Sequence, residues 1–455
     1  MTTIIEQLAA YAVRERTAPI RPDVLHHTKR AIIDWFAALL PGGVISPATL
    51  LEKTLYEDMD RGLARIVTGR TATLRAAALI NGTASHSVEF DDIYRDAGYH
   101  PGSPIIAAAL AAAQTHKASG EALVRAVIVG YETSSRIGMA VIPSHYRFWH
   151  TTGTIGSFGA AAAVASILEC NEVQFAHALA TAGTFAAALQ QAFRSEANSK
   201  PLHAGHAAEC GAMAAMAAKQ GVTGALDILE GEAGFGAAMS VNPDWSRATK
   251  GLGEYYCITE MTFKNHGCCG HNFAGIDGIL NLQQTHNIKP EDIESVRIAT
   301  YKAGTDIVNN ATPTGEYQAK FSMQYVVAHA LLYGSVRLAA FTEERMNDPR
   351  LRALLPKIEV VADPKLSAGY PSQRAADVSI VTKSGVSLAH FQPTRKGDPD
   401  QPLTDTELEQ KYRELAEPVI GKAKTEALLK DLWTLEKRSD CQLDYSATVV
   451  NMKRA

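Results

Sequence analysis

The sequence predicts a mainly α-helical protein: a large all-helical domain built from both chain ends, with a smaller α+β domain inserted between them. Three observations carry that reading. Residues 1 to about 262 keep helical spacing, dense in Ala, Gly and Ser, with little to suggest strands. Near Phe263 the texture changes to short, alternating, β-branched runs. Beyond a proline-rich stretch the pattern is helical to the end, so the tail is expected to rejoin the first domain. With 455 residues the chain exceeds one ordinary compact domain, and the expected bounds are 1–264 and 397–455 for the helical part and 265–396 for the insertion.

The elements follow in order. "MTTIIEQLAAYAVRERTAPI" has amphipathic helical spacing with Glu6 in its first turn. "SPIIAAALAAAQTHKASG" is punctuated as a helix: Ser103 at the N-cap, Pro104 at the first helical position, His116 and Lys117 near the end, Gly120 beyond. "EALVRAVIVGYETSSRIGMAV", "TIGSFGAAAAVASILE", "EVQFAHALATAGTFAAALQQA" and "HAAECGAMAAMAAKQG" are apolar on more than one side, which buries them against one another. In the insertion, residues 294–301, 357–363 and 375–391 read as strands, the last as a hairpin turning at Ser384-Gly385. Between them, "AKFSMQYVVAHALLYG" and "TEERMNDPRLRALLP" read as helical. A cleft between two domains is the default place for a ligand.

Composition removes several function classes. Apolar residues make up 46% and charged residues 20%, which suits a folded soluble chain. The net charge is −4, from 44 basic and 48 acidic residues, with no basic run of nucleic-acid-binding density, so no nucleic-acid partner is expected. No apolar run reaches the roughly 20 residues that span a bilayer, so no membrane partner is expected either. The N-terminus resembles neither a secretory signal nor a transit peptide. Six cysteines without regular spacing form no disulfide framework, and a cytoplasmic location with reduced thiols is expected.

Three polar loops stand directly before small-residue helices: His100 before "SPIIAAALAAA", His150 in "FWHTTGT", and Lys200 in "NSKPLHAGH". A helix N-terminus offers unsatisfied N–H groups and positive partial charge, so a His or Lys added at each would suit a substrate with several carboxylates. Each loop taken alone is equally a capping loop with its side chain in solvent. A metal reading of His86, Asp91, Asp92, His100 and "HGCCGH" (266–271) lacks the repeated ligand spacing of zinc sites, and no metal is expected. Nucleophile-elbow and phosphate-loop signatures are missing, and the adjacent Cys268 and Cys269 suit close packing better than nucleophilic chemistry. General acid/base chemistry remains, with Tyr325, beside Lys320 and Ser322, either a proton donor or a core tyrosine with a satisfied hydroxyl.

These stretches, in this order, resemble the MmgE/PrpD family, which includes 2-methylcitrate dehydratase, cis-aconitate decarboxylase and iminodisuccinate epimerase. The segments that carry the resemblance run nearly the full length, among them "NGTASHSVEFDDIYRDAGYHPGSPIIAAALAAA", "WHTTGTIGSFGAAAA", "SKPLHAGHAAECG", "FKNHGCCGHNFAGID" and "QAKFSMQYVVAHALLYG". The resemblance implies that the insertion is a lid, that the chain forms a homodimer, and that the chemistry needs no cofactor. It marks His100, His150, Lys200 and Tyr325 as the family's functional positions. It also shows departures. The family's D-F-D-D-[ST] stands here as "EFDDI", with Glu89 for the first aspartate, Asp92 retained, and Ile93 for the hydroxyl residue. In the C-C-G-H-x-H stretch His271 is retained, while Phe273 replaces the second histidine.

The expected function is that of a lyase of the 2-methylcitrate dehydratase type, acting on a small di- or tricarboxylate by proton abstraction next to a carboxylate. His100 or His150 would move the proton, Tyr325 would assist, and Lys200 would anchor a carboxylate. Glu89 and Asp92 would orient the imidazoles, and Ile93, His271, Phe273 and Lys320 would line the substrate. Decarboxylation and epimerisation use the same carbanion-like intermediate and stay open. The changes at Ile93 and Phe273 also leave a non-catalytic carboxylate-binding protein as an alternative.

Overall fold

The computed structural model describes residues 2–193, 197–370 and 372–448. The chain is mainly helical, at 59%, with small sheets, and divides into two compact units. The first comprises residues up to 263 together with those from 404 onward; the second comprises 264–403.

In the first unit small residues set how closely the helices lie. The helix Thr151–Ile167 is buried along its whole length. A side chain on Gly82, in the helix Leu74–Ser85, would lie 3.0 Å from the Cα of Gly205 in Ser199–Lys219. One on Gly156 would lie 2.6 Å from Pro104 in Gly102–His116. Only glycine permits these approaches. The C-terminal helix Asp405–Ile420 joins the same core through Lys411, whose Nζ donates to Asp34 of Pro22–Gly43 (2.5 Å) and to the Phe90 carbonyl (2.8 Å). Among the described residues no single helix is long and apolar enough to cross a membrane.

Three local expectations change. The helix Gly102–His116 begins before Ser103: Pro101 holds the N-cap without a side-chain bond, and the Ser103 hydroxyl instead donates to Asp91. The first unit contains small strands, Met59–Arg65 paired with Thr71–Ala72 and Ile93–Tyr94 with Met261–Thr262. The tail is not helical to its end. Past a short turn at Leu435–Lys437 it runs irregularly, with Cys441, Leu443 and Tyr445 buried, and the Tyr445 hydroxyl donates to the Arg65 carbonyl (2.8 Å). Apolar residues at every second position mark an extended segment, not a helix.

The second unit is built on a four-stranded sheet in the order Ile358–Ala362, Ile293–Thr300, Ala376–Thr382, Ser387–Gln392. The first pair is parallel and the others antiparallel, with the hairpin turning through Gly385 at φ 84°. Helices Phe273–His286 and Met323–Tyr333 pack against it. "TEERMNDPRLRALLP" is two helices, Glu343–Met346 and Pro349–Leu354, because Pro349 brings no N–H and Asp348 caps the second. The stretch after residue 396 stays with this unit: the Arg395 guanidinium pairs with Asp398, and Gln392 donates to Gln401.

Candidate active site

The loop after the helix Leu74–Ser85 supplies the centre of the site. His86 caps that helix, and its Nδ1 lies 2.6 Å from Asp91 Oδ2. The same oxygen lies 3.2 Å from His100 Nδ1 and accepts the Ser103 hydroxyl at 3.0 Å. One carboxylate oxygen therefore meets two imidazoles and a hydroxyl. With Asp91 ionised, the short contact places a proton on His86 Nδ1 and turns its Nε2 away from Asp91, while His100 Nδ1 stands beside the same oxygen as an ion-pair contact. His86 is fully buried and its Nε2 has no hydrogen-bond partner, whereas the His100 side chain keeps 17% of its surface exposed. His100 is thus the member of the pair that a substrate can reach.

His150 completes the cluster from the N-cap of Thr151–Ile167. Its ring stacks on His86 with centroids 5.4 Å apart, and its Nδ1 lies 3.0 Å from the Nδ1 of His203. Burial first, then the charges of His86 and Lys200, hold His150 well below the ordinary imidazole range. His203 is pushed down to about 4, again chiefly by burial. Both rings are therefore neutral near pH 7 and present a lone pair. Lys200, in the first turn of Ser199–Lys219, pairs with Glu89. Glu89 sits at φ 61°, a left-handed conformation that costs a non-glycine residue on the order of 1 kcal/mol.

His100, His150 and Lys200 are thus drawn from three separate loops into one cluster. The carboxylate that orients the imidazoles is Asp91, where Asp92 and Glu89 were expected. Neighbouring residues of the loop send their side chains to different partners. Asp92 accepts from the Gly102 N–H (2.9 Å) and the Tyr131 hydroxyl (2.8 Å) and ties the loop to the helices behind it. Burial, reinforced by Asp34, pushes Asp92 up to about 8. Ile93 is half-buried and pairs through its backbone with Thr262. His86 and Asp91 entered the sequence reading only as metal candidates, and His203 was not singled out. His203 was detectable in the spacing K-P-x-H, which puts it one helical turn from Lys200.

The remaining candidates lie in the second unit. Tyr325 is buried in its hydrophobic core, and its hydroxyl donates to the Ala340 carbonyl. That is the geometry of a core tyrosine with a satisfied hydroxyl. Lys320 pairs with Glu316 at 2.8 Å, 5.3 Å from the centroid of the Phe341 ring. Phe273 is buried at the start of its helix with its ring edge-on to His266. His271 hydrogen-bonds the Tyr301 hydroxyl at 2.7 Å, and burial pushes it down to about 3.

His86, Asp91 and His100 each bring one possible ligand atom within 4.8 Å of the others, a set that a divalent metal accepts. His86 Nδ1 instead hydrogen-bonds Asp91 Oδ2 at 2.6 Å, and His100 Nδ1 lies 3.2 Å from it.

Comparison with known proteins supplies the family. A model of the MmgE/PrpD N-terminal domain matches residues 6–248, and one of the MmgE/PrpD C-terminal domain matches 266–435. The chain belongs to the MmgE/PrpD family. It is 29% identical to the cis-aconitate decarboxylase of Homo sapiens over 81% of this chain and 78% of that one. It is 25% identical to the cis-aconitate decarboxylase-like protein oryM of Aspergillus oryzae, over 96% and 95%. To the mitochondrial 2-methylcitrate dehydratase of Yarrowia lipolytica it is 33% identical, over 22% of this chain and 20% of that one. Relatives within the family are thus enzymes, named as decarboxylases and dehydratases.

Proposed function

We propose that the chain is a lyase of a small di- or tricarboxylate, and that its first unit moves a proton at the carbon next to a carboxylate. The observation that carries this is the run of contacting imidazoles His203, His150, His86 and His100, the last two against the Asp91 carboxylate, beside the Lys200–Glu89 pair. In this reading His150, neutral through burial, takes up or returns the substrate proton. His100, oriented by Asp91 and reachable from solvent, is its partner in transfer. Lys200 exchanges part of its contact with Glu89 for a substrate carboxylate, helped by the N–H groups at the starts of Thr151–Ile167 and Ser199–Lys219. Tyr325 is given no proton to carry.

Two outcomes fit this machinery. In decarboxylation the bond to a carboxylate carbon breaks, CO₂ leaves, and the electron pair left on the neighbouring carbon takes a proton from His100, which, being reachable from solvent, regains it from water. In dehydration an imidazole takes the proton, and the hydroxyl on the adjacent carbon departs as water with a proton from the second ring. Likeness to proteins named cis-aconitate decarboxylase over 81–96% of the chain favours decarboxylation as the first reading. The shorter stretches shared with 2-methylcitrate dehydratases keep dehydration as the second. The deciding experiment incubates purified protein in D₂O with cis-aconitate, 2-methylcitrate, citrate and an imino-dicarboxylate, and follows the products by NMR. CO₂ release from cis-aconitate supports the first reading and loss of water from 2-methylcitrate the second. Deuterium entering without net conversion points to an epimerase. No exchange with any of them overturns the enzyme reading.

A further inference from the structure

A second group of polar side chains, within the second unit, carries more positive charge than its neighbours balance. Arg395 is buried and its guanidinium grips Asp398 with both prongs, Nε to Oδ2 at 2.9 Å and Nη2 to Oδ1 at 2.6 Å. Arg374 has no such partner. Its Nε is buried without a hydrogen bond, no carboxylate among the described residues pairs with it, and the nearest aromatic face, that of Tyr370, lies 5.8 Å away. Residues 301 and 370 stack their tyrosine rings at 4.6 Å, and the Tyr301 hydroxyl holds His271. Burial, with Arg374 and Arg395 close by, keeps that imidazole uncharged. The group therefore holds two guanidinium cations against a single carboxylate.

A buried guanidinium is ordinarily matched by an anion, because its desolvation is costly otherwise. Arg374 as a whole residue keeps partial contact with solvent, so the match can come from outside. We propose that Arg374, with Arg395, His271 and Tyr301 around it, forms a binding site for the carboxylate of a small organic acid. The excess is one positive charge, which a monoanionic carboxylate balances and a phosphate dianion over-fills. The planar fork of arginine matches the two oxygens of a carboxylate. The same excess charge argues against a metal cation here. This site stands on the geometry of the second unit and does not depend on the acid/base reading of the first.

The test uses the full chain labelled with ¹⁵N-histidine and titrated with succinate, with His271→Gln identifying the His271 resonance. The expected result is a saturable shift of that resonance, with affinity weakened roughly tenfold or more in Arg374→Gln and less in Arg374→Lys. The first-unit histidine resonances, unchanged by either substitution, report that the chain is folded. Absence of a succinate-dependent shift in the unsubstituted protein overturns the site, as does unchanged affinity in both variants. An equal response to inorganic phosphate overturns the carboxylate assignment. A shift in a protein that turns nothing over leaves this site standing and removes the lyase reading; turnover without a shift does the reverse.

Discussion

The two polar clusters of this protein use the same kinds of side chain to opposite ends. In the first unit the charged groups are matched: Asp91 is surrounded by two imidazoles and a hydroxyl, and Lys200 faces Glu89. In the second, Asp398 answers Arg395, and Arg374 is left over. A matched cluster in which His150 and His203 are neutral can take up and pass on a proton, which suits catalysis of proton transfer. An unmatched guanidinium cannot give up its proton and only attracts. Histidines alone would not separate the two regions, since burial holds both His150 and His271 uncharged; the difference lies in what surrounds them.

That contrast can be broken most severely at His150. Its replacement by alanine is expected to lower turnover by roughly 10²- to 10⁴-fold with the helical circular dichroism intact, and an unchanged rate would remove His150 from the site. Next in size is Asp91→Asn, which keeps the shape but disturbs the tautomers of His86 and His100. The loss should be on the order of ten- to a hundredfold in kcat, by analogy with the removal of other orienting partners. It should come with a changed pH profile that a purely structural role would not produce.

A smaller effect separates the buried carboxylate from the buried imidazoles. Asp92 has its folded-state pKa raised to about 8, so its contribution to stability is present at low pH and is lost as pH rises through that value. His203, lowered to about 4, acts in the other direction: its contribution is present above the unfolded imidazole value of about 6.5 and is lost as pH falls toward 4. Between pH 6.5 and 8 only the aspartate should act, with a slope of at most about 1.4 kcal/mol per pH unit. Thermal melts of Asp92→Asn should therefore be flatter than those of the unsubstituted protein in that window; identical slopes would contradict the assignment. The smallest expected effect is that of a chelator. Dialysis against EDTA should leave turnover unchanged, and loss restored by Zn²⁺ would turn His86, Asp91 and His100 into metal ligands.

Much of this was legible along the chain. Ala, Gly and Ser spacing marked the buried helices, because close helix packing demands small side chains wherever it occurs. The alternation in residues 375–391 marked the hairpin for the same local reason. The loops holding His100, His150 and Lys200 stood out because a helix start is a local chemical event. The start of the helix at Gly102–Ser103 was misread, since the Ser103 hydroxyl that would have capped it is taken by Asp91, twelve residues earlier. The tail was misread because two buried residues, Cys441 and Tyr445, hold it extended against distant parts of the unit.

Residue type and spacing were enough to establish a mainly helical chain, an α+β segment within it, and imidazoles and a lysine placed at helix starts. Tertiary structure alone decided which acid serves them. Glu89, Asp91 and Asp92 lie within four positions of one another and are chemically alike, so no local rule tells them apart. The folded loop turns Asp91 toward His86 and His100 nearby in the chain, while more distant helices bring Tyr131 to Asp92 and Lys200 to Glu89. A carboxylate's task is set by the donors that reach it, and which donors do so is decided by how the loop folds and what packs against it.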